Sequence, residues 1–148
     1  MGVTNFDEYR DVFVVADTID DVVHPVTYEL IGQARRIAKE LGQLVQVMLL
    51  GENVQSEAEE LVAHGADIVH VFESPLLKYY TTDGYTKVLT DFFEDHKPNI
   101  LLIGATNNGR DLAPRMSGRM KNGVVADCTI LTVDTEEGLV EWTRPALG

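Results

Sequence analysis

The chain alternates short runs of mostly apolar residues with segments in which apolar residues recur every three or four positions. The apolar runs are typical of strands that are covered on both faces. The spaced segments are typical of helices with one buried side. Strands are predicted at 12–16, 44–50, 68–72, 100–103 and 129–133. This alternation predicts an α/β fold with a mainly parallel sheet and helices on both faces.

The clearest helical signal is the third spaced segment. Its apolar stripe follows the i, i+3, i+4, i+7, i+8 spacing of a half-buried helix and consists of Tyr85, Val88, Leu89, Phe92 and Phe93. Helix starts are predicted by residue type and position. The predicted starts are Pro25 as a first helical residue, a capping box of Ser56 and Glu59, a cap at Asp83, and a fourth helix over 111–121 that keeps Pro114 in its first turn.

The last two apolar runs, 129–133 and 139–143, are joined by Glu136, Glu137 and Gly138. A short polar connection that contains glycine predicts a β-hairpin at the edge of the sheet. No internal repeat or linker interrupts the pattern. Residues 1–148 are therefore predicted to form a single α/β domain.

The composition of the chain makes some binding partners and cellular locations less favourable than others. The 148 residues carry a formal net charge of −12, with 45% hydrophobic and 24% charged residues. A strongly negative chain is a poor partner for nucleic acid or for an anionic membrane surface. The sequence has no run of 18 apolar residues and no signal-peptide pattern at its start, so we predict no membrane insertion and a cytoplasmic location.

Several classes of chemistry find no support in the sequence. A single cysteine, Cys128, excludes an internal disulfide and a cysteine-based metal cluster, and it is predicted to pack as a small apolar residue. The four histidines have no metal-ligand spacing and are predicted at helix ends or sheet edges. With no nucleophile–base arrangement visible, a small enzyme is the least favoured function.

The richest candidate site is the turn at 104–111, which follows the fourth strand and opens a helix. Ligands of open α/β sheets bind beyond such strand ends, and a helix start favours an anion. Gly104 and Gly109 have the spacing of P-loop glycines, but Arg110 and Asp111 stand where that motif has Lys and Ser or Thr. Three interpretations remain: a tight turn, an anion or nucleotide contact, and a subunit contact.

Charge also sets this region apart. The segment 104–123 carries a net charge of +3 because four basic residues accompany only one acidic residue. Arg115 and Arg119 are four residues apart and therefore share a helix face. That face is either simply solvated or a docking surface for an acidic partner or a phosphate. The nearby pair Tyr79 and Tyr80 suits an interface, a ligand with a flat ring, or packing under the loop.

Residues 100–115, ILLIGATNNGRDLAPR, resemble the signature of the electron transfer flavoprotein alpha subunit. The segments 125–129 and 24–42 are similar to that family as well, so the resemblance extends along essentially the whole chain. The form of residues 106–110 and the segment 80–87 resemble bacterial members, including bifurcating ones.

The resemblance implies that residues 1–148 are the N-terminal domain of an alpha subunit, without the C-terminal domain that cradles FAD. The segment 144–148 normally leads into that flavin domain. The resemblance further implies docking against a beta subunit, which carries AMP or a second FAD. The full heterodimer would carry electrons from a dehydrogenase, such as an acyl-CoA dehydrogenase, by means of FAD. No catalytic residue and no flavin bound to this chain alone are expected.

Four residues are the candidates for touching a cofactor across the subunit boundary: Thr106, Asn107, Gly109 and Arg110. The alternative function is a stand-alone domain that binds an adenine nucleotide at the same strand ends. Because a separated subunit domain exposes the surface that its partner covers, we also expect an apolar patch and self-association.

Overall fold

The computed structural model describes residues 9–120, 128–134 and 139–143. The strands are β1 Val12–Val15, β2 Thr18–Ile19, β3 Val22–Val23, β4 Val45–Gly51, β5 Ile68–Glu73, β6 Ile100–Gly104, β7 Thr129–Asp134 and β8 Leu139–Thr143. The helices are α1 Val26–Leu41, α2 Gln55–Ala63, α3 Thr82–Asp95 and α4 Asn107–Arg119, with a 3-10 turn at Pro75–Leu77.

Six of the strands form one sheet in the order β5-β4-β1-β6-β7-β8. All neighbours run parallel except β7 and β8, which pair antiparallel as a hairpin. The chain builds the sheet outward from β1 to one side through β4 and β5, then returns to the other side through β6. The predicted α/β fold is confirmed, and the reversal of strand order places a topological switch point between β1 and β6.

Alternate side chains of the strands face opposite layers of helices, because successive residues of a strand point to opposite faces. Val12 and Val14 of β1 pack in the core that includes α1 and α2. Phe13 and Val15 pack in the second core, with α3 and α4. Both faces of β1 are buried, which explains why its sequence is apolar without alternation.

The predicted start of the fourth helix is wrong. Helix α4 begins at Asn107 rather than near Asp111, because the Thr106 hydroxyl caps it by accepting a hydrogen bond from the Gly109 N–H at 3.0 Å. Pro114 therefore lies inside the helix and not in its first turn. Its ring is on the exposed side of α4, away from the core.

The other predicted helix starts also need correction. Pro25 is the residue before α1, and Thr81 rather than Asp83 caps α3. The capping box of Ser56 and Glu59 does not form, because α2 already begins at Gln55. Carboxylates from other elements bind the N–H groups ahead of α2 instead, an arrangement that local sequence does not reveal. Asp21 accepts from the N–H groups of Glu52 and Asn53, and Glu73 accepts from that of Val54.

A small hairpin, β2–β3, was not predicted. Its turn residues Asp20 and Asp21 have φ of 53° and 65°, the left-handed conformation that a tight two-residue hairpin turn requires. Each strand has only two residues, too few to show an alternating pattern. The predicted hairpin at the other end of the chain is confirmed as β7–β8, while residues 136–138 lie outside the described residues.

Candidate functional site

The switch point between β1 and β6 opens into a small cleft. It contains about 310 Å³ of space, part of which is open to solvent. Asp17 and Thr18 leave the end of β1 on one side, and Asn108 and Gly109 of α4 lie on the other. The remaining lining residues are Val15, Ala16, Tyr80, Tyr85, Ile103, Gly104 and Leu112.

Asp17 and Thr106 connect the two sides of the cleft. The Thr106 hydroxyl donates a hydrogen bond to the Asp17 carboxylate at 2.5 Å while it accepts from the Gly109 N–H. The Asp17 backbone N–H donates to the Thr27 hydroxyl of α1 at 3.0 Å. Two helices and the central strand therefore meet at Asp17.

Gly109 is required by a close approach between backbones. A Cβ at this position would overlap the carbonyl oxygen of Gly104, where β6 ends. Helix α4 thus starts directly against the last residue of the strand that precedes it. The glycine spacing that resembles a P-loop has a packing cause in this chain.

The electrostatics of the cleft do not suit a phosphate. Helix N-termini attract anions through their free N–H groups and the positive end of the helix dipole. Here the Asp17 carboxylate is joined to the capping residue Thr106, and Thr106 also takes the Gly109 N–H. A phosphate placed at this point would meet an existing negative charge. The Asp17 carboxylate therefore disfavours the diphosphate of a flavin or an adenine nucleotide at this point.

Tyr80 forms one wall of the cleft and is held from two directions. Its ring packs edge-on against Tyr85, with centroids 5.0 Å apart. Its hydroxyl donates to the Asp111 carboxylate of α4 at 2.7 Å, and the Thr82 hydroxyl donates to the same carboxylate oxygen. The loop before α3 is thereby fastened to α4.

This fastening changes two acid–base equilibria. The hydrogen bonds from Thr82 and Tyr80 lower the pKa of Asp111, because they stabilise its charged form. Burial and the hydrogen bond to Asp111 raise the pKa of Tyr80. Both shifts favour a neutral phenol that donates to an ionised carboxylate.

The four predicted contact residues divide into two pairs. Thr106 and Gly109 form the capped start of α4 beside the cleft, and both are engaged in contacts within the chain. Asn107 and Arg110 are exposed on the first turn of α4 and do not line the cleft. The predicted turn thus lies beside the cleft, and the cofactor contact of these four residues stays a prediction.

Asp17, Tyr80 and Asn108 were not predicted as site residues. Asp17 had a usable signal, since it is the first charged residue after a fully apolar strand and so stands at a strand end. For Tyr80 the sequence predicts an interface, a contact with a flat-ring ligand, or packing under the loop. No local sequence signal distinguishes Asn108 from Asn107. Asn108 lines the cleft and Asn107 does not, because of the direction in which each side of α4 faces.

The structure also accounts for the residues that were predicted to do no chemistry. Among the described residues, no group of three or more His, Cys, Asp and Glu side chains is placed to hold a metal ion. His64 and His96 end α2 and α3, and His70 lies in the edge strand β5. Cys128 is buried as a small apolar residue, and its burial raises the pKa of its thiol. Within the described part of the chain, no helix is long and apolar enough to cross a membrane.

Comparison with known proteins agrees on one family. The family model for the electron transfer flavoprotein domain matches residues 12–148. The chain is 47% identical over 95% of its length to the electron transfer flavoprotein subunit alpha of Megasphaera elsdenii. It is 46% identical over 95% of its length to the LctC subunit of the lactate dehydrogenase (NAD(+),ferredoxin) of Acetobacterium woodii.

The chain spans 42% of the Megasphaera elsdenii protein and 33% of the Acetobacterium woodii protein. Among solved structures, the universal stress protein from Archaeoglobus fulgidus in complex with dAMP aligns with 70% of this chain and 89% of its own, at a TM-score of 0.47 and 17% identity. That alignment is too loose to bear on function. The family match and the two relatives agree with the resemblance of residues 100–115, and the chain belongs to the electron transfer flavoprotein family.

Proposed function

We propose that this chain is the N-terminal domain of an electron transfer flavoprotein alpha subunit and that it docks the beta subunit. The observation that carries the proposal is the pattern of coverage. A protein named electron transfer flavoprotein subunit alpha matches 95% of this chain, whereas this chain spans only 42% of that protein. The described part of the matched region is a six-stranded sheet with helices on both faces, a fold that can present a docking surface.

The switch-point cleft supports a docking role over a nucleotide-binding one. At its helix start the Thr106 hydroxyl takes the Gly109 N–H and donates to the Asp17 carboxylate, whose charge would oppose a phosphate. In the proposed heterodimer, FAD is held by polypeptide other than this chain. When bound there, FAD supplies one- and two-electron chemistry, and this chain contributes folded surface and orientation.

The proposed whole protein carries electrons from a dehydrogenase to a further acceptor, without catalytic residues in this chain. One relative is named a subunit of a lactate dehydrogenase that uses NAD(+) and ferredoxin, and another is named an acryloyl-CoA reductase electron transfer subunit. The first name supports a donor of the hydroxy-acid class and also supports bifurcation. The second supports an acceptor of the acyl-CoA class, because a reductase passes electrons to its substrate. A cytoplasmic location remains part of the proposal.

The exposed residues Asn107 and Arg110 are the proposed contacts to a cofactor held across the subunit boundary. Thr106 and Gly109 hold the turn that presents them. In the full heterodimer, Arg110→Ala is expected to lower flavin content, and Arg110→Lys to restore part of it. Arg119→Ala, an exposed change at the other end of α4, is the matched control. Flavin content and electron transfer that are unchanged by Arg110→Ala would remove this contact from the proposal.

The main test compares this chain alone with the heterodimer. The chain is expected to be colourless, to form a one-to-one complex with the beta subunit in size-exclusion chromatography with light scattering, and to show no calorimetric binding of AMP or ATP at micromolar concentration. A yellow preparation with stoichiometric isoalloxazine, or the absence of a complex, contradicts the proposal. Micromolar binding of either nucleotide would favour the stand-alone alternative instead.

A further inference from the structure

Large apolar side chains are exposed beyond the carboxyl ends of the sheet strands. Ile19 and Val22 of the β2–β3 hairpin are 60% and 62% exposed, and Leu76 and Tyr79 in the segment after β5 are 85% and 65% exposed. The other exposed large apolar residues of the described chain, Leu41, Leu44, Val62 and Ile68, are 38–53% exposed. We call Ile19, Val22, Leu76 and Tyr79 the apolar rim.

Lys78 links the two segments of the apolar rim. Its ammonium group lies 3.8 Å from the Asp20 carboxylate in the hairpin turn and 4.0 Å from the Glu52 carboxylate after β4. It also lies 5.6 Å from the centre of the adjacent Tyr79 ring. The hairpin and the segment that follows β5 are therefore neighbours.

The hairpin is braced from below, although a pair of two-residue strands has little stability of its own. Ile19 and Val22 are directly opposite in the ladder, so they share its outer face, while Thr18 and Val23 are buried. The Val23 N–H donates to the Glu57 carboxylate at 2.6 Å. Both turn aspartates adopt positive φ, which the two-residue turn requires and which aspartate adopts more readily than most residues. The turn and the contact with Glu57 therefore hold the backbone that carries Ile19 and Val22.

The segment at Pro75–Tyr79 is braced in the same way. Leu77 is buried, and its carbonyl accepts a hydrogen bond from the Tyr85 hydroxyl at 2.8 Å. The Ser74 hydroxyl accepts from the Leu76 N–H at 3.1 Å. Leu76 is thus held outward by a fixed backbone. Side chains that are ordered before binding lose less conformational entropy on association.

Charge around the apolar rim defines the kind of partner. The segments 17–23, 51–54 and 73–79 carry five carboxylates and a single ammonium group. An apolar patch with a polar border is the general form of a protein interface. A partner surface with basic side chains around an apolar centre would complement this one, and opposite charge of this kind accelerates association.

We propose that the apolar rim is the surface on which this chain docks its partner subunit, and that the partner presents an apolar patch bordered by basic residues. This inference rests on the proposed function, which supplies the partner. It assigns the contact to the carboxyl ends of the parallel strands, beside the switch-point cleft, and not to their amino ends.

The test measures the affinity of this chain for the beta subunit by surface plasmon resonance. Ile19→Ser and Leu76→Ser are each expected to weaken binding roughly tenfold or more, as for central apolar contacts of an interface. The matched controls are Leu41→Ser and Val62→Ser, which replace exposed apolar residues near the C-terminal ends of α1 and α2. They should leave the affinity unchanged. Circular dichroism of every variant checks that the fold is retained.

A second experiment tests whether the carboxylates around the apolar rim accelerate association with the beta subunit. Asp20→Asn keeps a side chain that tolerates positive φ and is expected to slow association, whereas Asp95→Asn at the end of α3 should not. If wild-type chain forms no complex, the proposed function fails. If the complex forms but the rim variants bind as wild type, or the control variants lose binding instead, only this inference is overturned. Self-association of the chain alone that is abolished by the rim variants, with partner binding unchanged, would assign the rim to a second copy and would also overturn it.

Discussion

The Thr106 hydroxyl lies between the Asp17 carboxylate, to which it donates at 2.5 Å, and the Gly109 N–H, from which it accepts at 3.0 Å. One side chain therefore caps α4 and joins that helix to the end of the central strand. The same arrangement places a negative charge where a phosphate-binding loop would bind its ligand. The turn shares its glycine spacing and its position at a helix start with anion-binding loops, but its Thr106 hydroxyl and Gly109 N–H bond to groups of this chain.

Removing the Thr106 hydroxyl should destabilise the domain. Thr106→Val keeps the shape but loses both hydrogen bonds, and the expected loss is about 1 kcal/mol of unfolding free energy, as for other N-cap deletions. Urea denaturation followed by circular dichroism measures it. Thr106→Ser retains the hydroxyl and is the control, so a Thr106→Val variant that is as stable as wild type and Thr106→Ser would contradict the capping role.

The two glycines of α4 should respond oppositely to alanine. At Gly109 a Cβ would overlap the Gly104 carbonyl oxygen, so Gly109→Ala is expected to cost about 3 kcal/mol by overpacking. At Gly118 a Cβ meets nothing within 4 Å, and Gly118→Ala should stabilise the helix by about 0.5 kcal/mol. Thermal or urea unfolding of both variants checks the signs, and equal effects would contradict the close approach of α4 to β6.

The bonds from Tyr80 and Thr82 to Asp111 should make stability depend on acidic pH. The pKa of Asp111 is lowered in the folded state, so its contribution is complete above its unfolded value and is lost as pH falls through its folded value. The difference in unfolding free energy between wild type and Asp111→Asn should therefore shrink between about pH 5 and pH 2. Tyr80→Phe should reduce that pH dependence, whereas Tyr79→Phe, which alters a neighbouring exposed tyrosine, should not. A difference that stays constant across this range would show that the Asp111 carboxylate is not stabilised in the fold.

His70 gives a dependence at higher pH. Its Nε2 lies 2.6 Å from the Gln46 side-chain oxygen, while the Gln46 amide nitrogen donates to the Asp11 carboxylate at 2.7 Å. Burial lowers the pKa of His70, and the nearby His96 lowers it further. Because the folded state favours the neutral ring, stability that is complete above the unfolded value of about 6.5 falls as pH decreases through it toward the lowered folded value.

Nuclear magnetic resonance titration of the imidazole signals checks this shift. His70 is expected to titrate below the ordinary histidine range. His96→Gln should move the pKa of His70 upward, because it removes the neighbouring positive charge that forms at low pH. His24→Gln, which changes a histidine at the start of α1, is the control and should leave the His70 titration in place.

Long apolar runs predicted the sheet strands because such runs depend only on burial of both faces. The stripe from Tyr85 to Phe93 predicted α3 for a similar reason, since its buried face follows from spacing alone. The β2–β3 hairpin was not predicted, because two strands of two residues each are too short to show the alternation of apolar and polar residues. The start of α4 was misplaced because Pro114 was weighed as a local signal, while Thr106 is fixed by Asp17 from a strand 89 residues away in sequence.

The class of fold and the family could be predicted without a structure, because apolar periodicity and a sixteen-residue signature are local properties of the chain. Only the tertiary structure decided what the turn at 104–111 does. Parallel pairing brings the ends of β1 and β6 side by side, and so places Asp17 at the start of α4. It also brings Asp20 of the hairpin next to Lys78 and thereby assembles the apolar rim from two distant segments. Contacts between residues far apart in the chain depend on how the elements pack, and no local pattern encodes that packing.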